Sequence, residues 1–478
     1  MPHDQPSDGE PSLVRQLGLF DSTMIMLGII IGSGIFATTG IMARLIPSPG
    51  WVLLAWIFGG LLTLAGALTY AELGAAMPEA GGQYVYMREA YGPLPGFLYG
   101  WVLFSVYMTG GIAALGAAFA EYLGYFFPAL STSNYLLRID LDFLIPQGNY
   151  ALSAGQIVAV AAIILLSILN YFGLTLGKIV QNSLTVLKIG ILLAFIVIGF
   201  SVGTGQPFDL DFAPASFGLG QLIVGFGVAL VAVSWAFDGW NNVIFVAGEV
   251  KKPHRNVPMS LILGTLTATV LYALVNYLYF WALPIEEVVG VVRIAEKAST
   301  ALFGGTAAAV VSAAVVVSTF GAMNGSIIVG PRVYYAMAKD NLFFKRMAEV
   351  HPRFRTPGFA ILIQAIWSAL IALSGTFEQI ITFAMFVSIM FWIAAAASVF
   401  TLRKKRPEMP RPYKTWGYPV VPLIFIFASA GILLDTLIEK PIESLAGIAL
   451  TLVGIPLYFY WKNKNRSDNP GISVSSRQ

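Results

Sequence analysis

The chain has 478 residues, of which 57% are apolar and only 11% are charged, and its mean hydropathy is +0.75. This composition excludes a water-soluble globular protein and is typical of a chain that crosses a membrane several times. The net charge is +3 and no cysteine is present, which excludes disulfide bonds, thiolate metal sites and thiol catalysis.

Twelve apolar stretches are long enough to cross the hydrocarbon as helices of about 20 residues. We number them spans 1 to 12 and predict an all-α membrane protein. Residues 1–16 are polar and contain no apolar core of a signal peptide, so we expect a disordered tail there and a second tail at 462–478. The spans begin near Leu19, Trp51, Leu94, Ala154, Gln181, Leu219, Pro258, Thr306, Gly358, Gln379, Pro419 and Ser444.

The basic residues predict which side of the membrane each loop faces. With an even number of spans both termini lie on one side, and placing them in the cytoplasm puts 22 of the 28 Lys and Arg residues on the inner face. Lys188 then lies within a span, and the outer basic residues are Arg44, Arg138, Arg293, Lys297 and Lys440. The membrane topology therefore accounts for the basic residues in the inner loops. We expect a location in the inner membrane and no nucleic-acid partner.

Span 1 contains GIIIGSGIFATTG, from Gly28 to Gly40, with four glycines in thirteen positions. Glycine inside a helix costs about 1 kcal/mol relative to alanine. The pair Gly28 and Gly32 fits a contact between closely packed helices, whereas a cluster of glycines also fits a break in the helix. The segment alone leaves both interpretations open.

Lys188 begins the apolar half of span 5, in VQNSLTVLKIGILLAFIVIGF. A lysine near the end of a span can extend its side chain along the helix to reach the membrane surface. A buried position inside the bundle is the alternative, and intramembrane charges are usually functional.

Span 6 contains Asp238-Gly239 and Asn241-Asn242 inside an otherwise apolar run. A central carboxylate costs about 2.5 to 3.5 kcal/mol even on the mild insertion scale. Spans 1 and 6 are the first spans of two five-span halves, and matching interruptions in two halves are typical of inverted-repeat secondary transporters. We therefore predict broken helices 1 and 6, with repeats at 17–203 and 219–402 and two further spans at 418–461.

Such breaks favour a particular ligand. The amides of Ser33 and Gly34 would open the second half of span 1, and unpaired amides at a helix N-terminus bind anions. Unwound carbonyl groups before the break would accept hydrogen bonds from a cation. An α-amino acid presents both charges within a few ångströms, so we predict an amino acid as the substrate.

Four segments resemble the L-type amino acid transporter family, bacterial branch, of the APC superfamily. They are GIIIGSGIF on span 1, PEAGGQYVYMREAYGP between spans 2 and 3, WAFDGWNNVIFVAGEVKKPHRNVPMSL from span 6, and STFGAMNGSIIVGPRVYYAMAKD on span 8. The resemblance implies a five-plus-five inverted repeat with two extra helices and transport by alternating access. It implies no cofactor and no metal, and the chain contains no enzyme motif of the HExxH, GxSxG or Walker type.

The resemblance also implies roles for individual residues. The amides of Ser33 and Gly34 would hold the substrate carboxylate, and carbonyl groups of spans 1 and 6 would hold its ammonium group. The aromatic lid would be Trp235, although an interfacial or core role is the alternative. The expected substrate contacts are Ile30, Ser33, Gly34, Trp235, Asp238 and Asn241.

For Lys188 the resemblance implies a cation that replaces the sodium ion of sodium-coupled relatives, between Gly28 of span 1 and Ser318 of span 8. We place Tyr279 of span 7 with this coupling and gating group. For Tyr279, as for Asn276 and Asn324, core hydrogen bonding is an equal alternative. Proton coupling stays open.

The prediction of side-chain selectivity rests on one position at which this chain differs from some of its relatives. Relatives that exchange acidic substrates have an arginine that aligns with Met108, so we expect neutral amino acids and exchange without sodium. Asp238 could either cap the second half of span 6 or bind cationic substrates. A proton-coupled symporter or uniporter of the same fold remains the alternative. Animal relatives pair with a glycoprotein through a cysteine, and this chain has none; its oligomeric state stays open.

Overall fold

The computed structural model describes residues 11–140, 149–203, 218–374 and 377–468, together with residues 205, 210 and 212. Within these ranges the chain is almost entirely helical, which confirms the predicted all-α membrane fold. Most of the two predicted tails, residues 1–10 and 469–478, lies outside the described residues.

The helices follow the predicted order of the spans. Span 1 consists of two helices, Leu19–Ile30 and Gly34–Leu45. Span 3 contains Pro93–Val102, a π-helical turn at Leu103–Tyr107, and Met108–Leu123. Span 6 consists of Leu219–Ala236 and, after a break, the 3-10 helix Asn242–Glu249. The other spans are Pro49–Ala76, Ala154–Tyr171, Leu174–Val202, Pro253–Ala282, Thr306–Lys339, Gly358–Ser374, Phe377–Lys405, Val420–Glu439 and Pro441–Asp468.

Short elements connect the spans. Two antiparallel strands form a hairpin between spans 3 and 4, with Arg138 opposite Ala151. The strands are Tyr135–Asp140 and Asn149–Ser153, and the remaining short elements are the helices Gln83–Tyr91, Ile285–Val288 and Ile294–Phe303 and the 3-10 turns Pro128–Leu130 and Lys345–Ala348.

In the described part of the chain, nine helices are long and apolar enough to cross a membrane. The two halves of span 1, bent by 40°, make a tenth. The first half of span 6 and the helix Gly358–Ser374 are apolar but shorter. The total of twelve spans and the division into two repeats stay predictions.

One predicted span boundary is wrong. Span 5 begins at Leu174 rather than near Gln181, because its polar residues face other helices instead of forming a loop. Lys178 Nζ lies 3.2 Å from Asp21 Oδ2 of span 1, and Asn182 donates to the same carboxylate at 2.7 Å. Span 12 continues as a helix to Asp468, past the predicted start of the tail at residue 462.

Spans 1, 6 and 8 are joined at one end of the bundle. The backbone amides of Gln16 and Leu17 donate to the carbonyl of Glu249, and the amide of Lys251 donates to the carbonyl of Leu17 at 2.8 Å. Glu249 also forms a fully buried, two-point ion pair with Arg332 of span 8, at 2.7 and 3.0 Å. These bonds fix the start of span 1 against the end of span 6.

Candidate functional site

The break in span 1 is where the sequence predicts it. The helix ends at Ile30, where the amide of Gly32 bonds to the carbonyl of Ile30 at 2.8 Å instead of continuing the helical pattern. A new helix begins at Gly34, after Ser33. The first amides of that helix have no preceding turn to accept their hydrogen bonds, and so they are available to an anion.

The break in span 6 lies directly beside the break in span 1. The helix ends at Ala236, and Gly239 has a φ of 96°, which favours glycine. A Cβ atom on Gly239 would lie 2.3 Å from Ile29, and one on Gly34 would lie 2.7 Å from the backbone of Ala236. The glycines therefore allow both breaks and also allow the two broken helices to touch.

A cavity of about 490 Å³, its open mouth included, lies at these two breaks. Four spans contribute its wall, and the residues are Ile29, Ile30, Gly32, Ser33 and Gly34 of span 1, Tyr107, Met108, Gly111 and Leu115 of span 3, Trp235, Ala236, Asp238 and Asn242 of span 6, and Ser326 of span 8. The structure thus brings together five of the six substrate contacts expected from the sequence.

The polar groups of this cavity are only partly satisfied by the protein. The hydroxyl of Tyr272 on span 7 donates to the carbonyl of Ile30 at 2.8 Å. The amide of Asp238 donates to the carbonyl of Trp235 at 3.0 Å, and the hydroxyl of Tyr107 donates to the carboxylate of Asp238. The carbonyl of Ile30 thus already accepts two hydrogen bonds, from Tyr272 and from the amide of Gly32, whereas the buried Oδ1 atom of Asn242 has no partner among the described residues.

Lys188 does not extend towards the membrane surface. Its side chain is 1% exposed, and Nζ donates to the carbonyls of Gly28 at 2.8 Å, Ile31 at 2.8 Å and Ser318 at 2.9 Å. Gly28 and Ser318 are the partners expected from the sequence, and Ile31 is an additional one. The break in span 1 explains the contact with Gly28, because the amide of Gly32 bonds elsewhere and leaves the carbonyl of Gly28 free.

Besides Lys188, Gly28 and Ser318, two further residues of the expected site lie outside the cavity wall. The side-chain amide of Asn241 donates to Gln83 at 3.0 Å, and the neighbouring Asn242 lines the cavity in its place. The hydroxyl of Tyr279 donates to the carbonyl of Ile35 at 3.3 Å, within the second half of span 1. Both side chains hold elements of the site together.

Asn276 and Asn324 also form hydrogen bonds within the core. Asn276 accepts from Thr39 of span 1 and donates to the carbonyl of Tyr272 at 2.8 Å. Asn324 donates to Gln181 of span 5 at 2.8 Å. These contacts fit the core alternative left open by the sequence.

Sequence reasoning missed four polar residues at the site: Tyr107, Asn242, Tyr272 and Ser326. Tyr107 ends the π-helical turn of span 3, and such turns often occur at functional sites. No motif in the sequence marks a π-turn. The double asparagine in span 6 was visible, but the pattern did not indicate which of the two faces the cavity.

Comparison with known proteins identifies the family of this chain. The family pattern described as amino acid permease matches residues 17–453. The chain belongs to the amino acid permease family. It is 31% identical to the serine/threonine exchanger SteT of Bacillus subtilis, over 95% of this chain and 98% of that protein. It is 29% identical to the human b(0,+)-type amino acid transporter 1, over 94% of this chain and 88% of that protein. It is 28% identical to the rabbit large neutral amino acids transporter small subunit 2, over 99% of this chain and 86% of that protein.

The family establishes the general activity of this permease. Its relatives are membrane transporters of amino acids and not enzymes. The permease itself has no cysteine, so it cannot form a disulfide bond with a partner subunit.

Proposed function

We propose that this permease is a sodium-independent exchanger of neutral L-amino acids that works by alternating access. The substrate carboxylate binds the amides of Ser33 and Gly34, and the ammonium group binds the carbonyls of Ile30, Trp235 and Asp238. Trp235 closes over the bound substrate. We place the permease in the inner membrane with both termini in the cytoplasm.

The contact set of Lys188 is the observation that best supports independence from sodium. Three carbonyl oxygens surround one ammonium group between spans 1 and 8. Oxygen ligands of this kind suit a bound cation, and the protonated lysine supplies that positive charge. A bound sodium ion is then unnecessary for joining the two spans.

The cavity wall supports a neutral substrate. Within the described part of the chain its wall contains no lysine or arginine that could pair with an acidic side chain, and Met108 lies where such a residue would be needed. The one carboxylate, Asp238, already accepts a hydrogen bond from Tyr107. A second candidate function is the exchange of cationic amino acids. It rests on the negative charge of the Asp238 carboxylate, which the hydrogen bond from Tyr107 does not neutralise.

The mode of transport is tested by counterflow in proteoliposomes. Purified permease is reconstituted with internal unlabelled alanine, and uptake of labelled alanine and leucine is measured against a competition panel of all amino acids. We expect uptake that needs internal substrate, is unchanged when sodium is replaced by choline, and is inhibited by neutral amino acids. Equal uptake into empty vesicles that rises with an inward proton gradient would instead identify a proton-coupled symporter or uniporter.

A further inference from the structure

A group of buried polar side chains lies next to the cavity and has no role in the mechanism above. Gln364 of span 9 is 1% exposed, and in the described part of the chain neither atom of its amide has a hydrogen-bond partner. One turn further along the same helix, Ser368 is fully buried and its hydroxyl is likewise unpaired among the described residues. Both residues lie on one face of span 9.

Two residues of the neighbouring spans belong to the same group. The hydroxyls of Ser105 on span 3 and Tyr334 on span 8 are buried without a partner in the described chain. The indole of Trp367, adjacent to Ser368, donates to the carbonyl of Ser105 at 2.8 Å. We call Ser105, Tyr334, Gln364 and Ser368 the polar cluster.

The ring of Phe104 packs against one side of the polar cluster. Phe104 of span 3 contacts Tyr334 with ring centres 5.2 Å apart, and it stacks on Trp367 at 6.4 Å. Spans 3, 8 and 9 therefore meet at this ring. The four unpaired polar groups come from the same small region between these spans.

Met108 separates this region from the substrate cavity. A Cβ atom on Gly330 of span 8 would lie 2.1 Å from Oε1 of Gln364 and 2.8 Å from Cγ of Met108, so these two side chains are neighbours. Met108 lines the cavity, as does Ser326, which lies one turn before Gly330. Met108 therefore has the cavity and Gln364 as neighbours, whereas Gln364 is not part of the cavity wall.

A buried polar group without a partner destabilises the folded protein, because it loses its hydrogen bonds with water and gains none in return. Such groups are rare in native proteins, and each one calls for an explanation. Methionine is unbranched and adapts easily to a changed environment, and a π-helical turn directly precedes Met108. The barrier between cavity and cluster is therefore a flexible side chain at an irregular point of its helix.

We propose that the polar cluster is a side-chain subsite for neutral substrates that end in a carboxamide, with glutamine as the model compound. Met108 turns aside to admit such a side chain, and the amide of Gln364 pairs with the substrate amide. An amide both donates and accepts hydrogen bonds, which matches a carboxamide better than a charged group. This inference rests on the proposed exchange of neutral amino acids.

The test compares substrates within single variants. Gln364→Met keeps the approximate size of the side chain and removes its amide. In the alanine counterflow assay, we expect glutamine to compete at least about tenfold less well with this variant, which corresponds to about 1.4 kcal/mol. Competition by alanine and leucine should stay within about twofold of the wild type. An equal loss for all three substrates, or no loss for glutamine, would overturn the subsite.

A second pair of variants tests the role of Met108. Met108→Ala should improve competition by glutamine relative to leucine, because the path to Gln364 is opened. Leu115→Ala is the matched control, since it enlarges the cavity about two helical turns away from Met108. The same gain in both variants would mean that volume alone is responsible, and the subsite would be wrong.

Two further measurements keep this test separate from that of the proposed function. If Gln364→Met does not fold, Ser368→Ala replaces it with the same expected selective loss. If the wild type shows no alanine counterflow, the exchanger proposal fails. The subsite is then judged from ligand-induced thermal stabilisation, where glutamine should stabilise the wild type more than Gln364→Met or Ser368→Ala, and equal stabilisation would overturn it.

Discussion

Lys188→Ala tests whether the lysine connects the two parts of the permease that must separate for transport. The ammonium group forms two hydrogen bonds to span 1, with Gly28 and Ile31, and one to span 8, with Ser318. When span 1 separates from span 8, the ammonium group must lose its hydrogen bonds to at least one of the two spans. A hydrogen bond to a charged group contributes about 1.5–3 kcal/mol, so its loss should shift the equilibrium between open and closed forms by about ten- to a hundredfold.

The structure shows which carbonyl groups lose a hydrogen-bond donor in this variant. The hydroxyl of Ser318 donates to the carbonyls of Ile31 at 2.7 Å and Gly32 at 3.1 Å, so Ile31 keeps a partner without the lysine. The carbonyl of Gly28 loses its ammonium partner, and the closed form becomes less favourable. We expect the variant to exchange more slowly than the wild type. Its apparent affinity should be weakened more on the cytoplasmic side than on the outer side, and transport should not depend on sodium.

The assay uses proteoliposomes in which the orientation of the permease is known. Substrate is varied on each face in turn, with and without sodium, and Lys188→Ala is compared with Lys178→Ala, which loses an ion pair at the start of span 5 instead. Wild-type kinetics on both faces for Lys188→Ala would refute the reasoning. Equal changes in the two variants would refute a special role for Lys188.

Three further variants test other parts of the site. Trp235→Ala should reduce transport at least about tenfold with an unchanged melting temperature, because a lid contributes binding energy in the closed form; near-normal uptake would remove the lid role. The N-cap position of the second half of span 6 is Asn241 and not Asp238. Asp238→Asn keeps an acceptor for Tyr107 while removing the charge, so a selective loss of arginine and lysine competition would identify a site for cations, whereas equal effects on all substrates would favour a structural role of the bond with Tyr107. Arg332→Ala leaves Glu249 buried and unpaired, and a cost of about 3–5 kcal/mol should appear as a lower melting temperature in detergent.

The breaks in the helices could be predicted because two segments of the sequence agree. The four glycines of span 1 alone also fit close helix packing, and Asp238-Gly239 in the corresponding span 6 favours a break in both. The contacts of Lys188 with Gly28 and Ser318 were expected only through the resemblance to a family. Its third contact, with Ile31, depends on the exact residue at which the helix ends, and sequence patterns define such ends only to within a few residues.

The missed residues depend on contacts between distant parts of the chain. Tyr272 reaches the carbonyl of Ile30 from span 7, and the sequence gives no sign that these two residues are adjacent. The second half of span 6 is a 3-10 helix with three residues per turn. The usual period of 3.6 residues therefore could not show that Asn242, and not Asn241, faces the cavity.

The direct contact between the two broken helices has a consequence for selectivity. Gly34 against Ala236 and Gly239 against Ile29 join spans 1 and 6 at the site, so the groups proposed to bind the substrate's carboxylate and ammonium belong to one body. Met108 and Ser326 face the same cavity from spans 3 and 8. If these spans part during transport, every amino acid is first bound by the features that all amino acids share. The side chain is then tested only as the cavity closes, so a poor substrate of this permease would bind and inhibit without being transported.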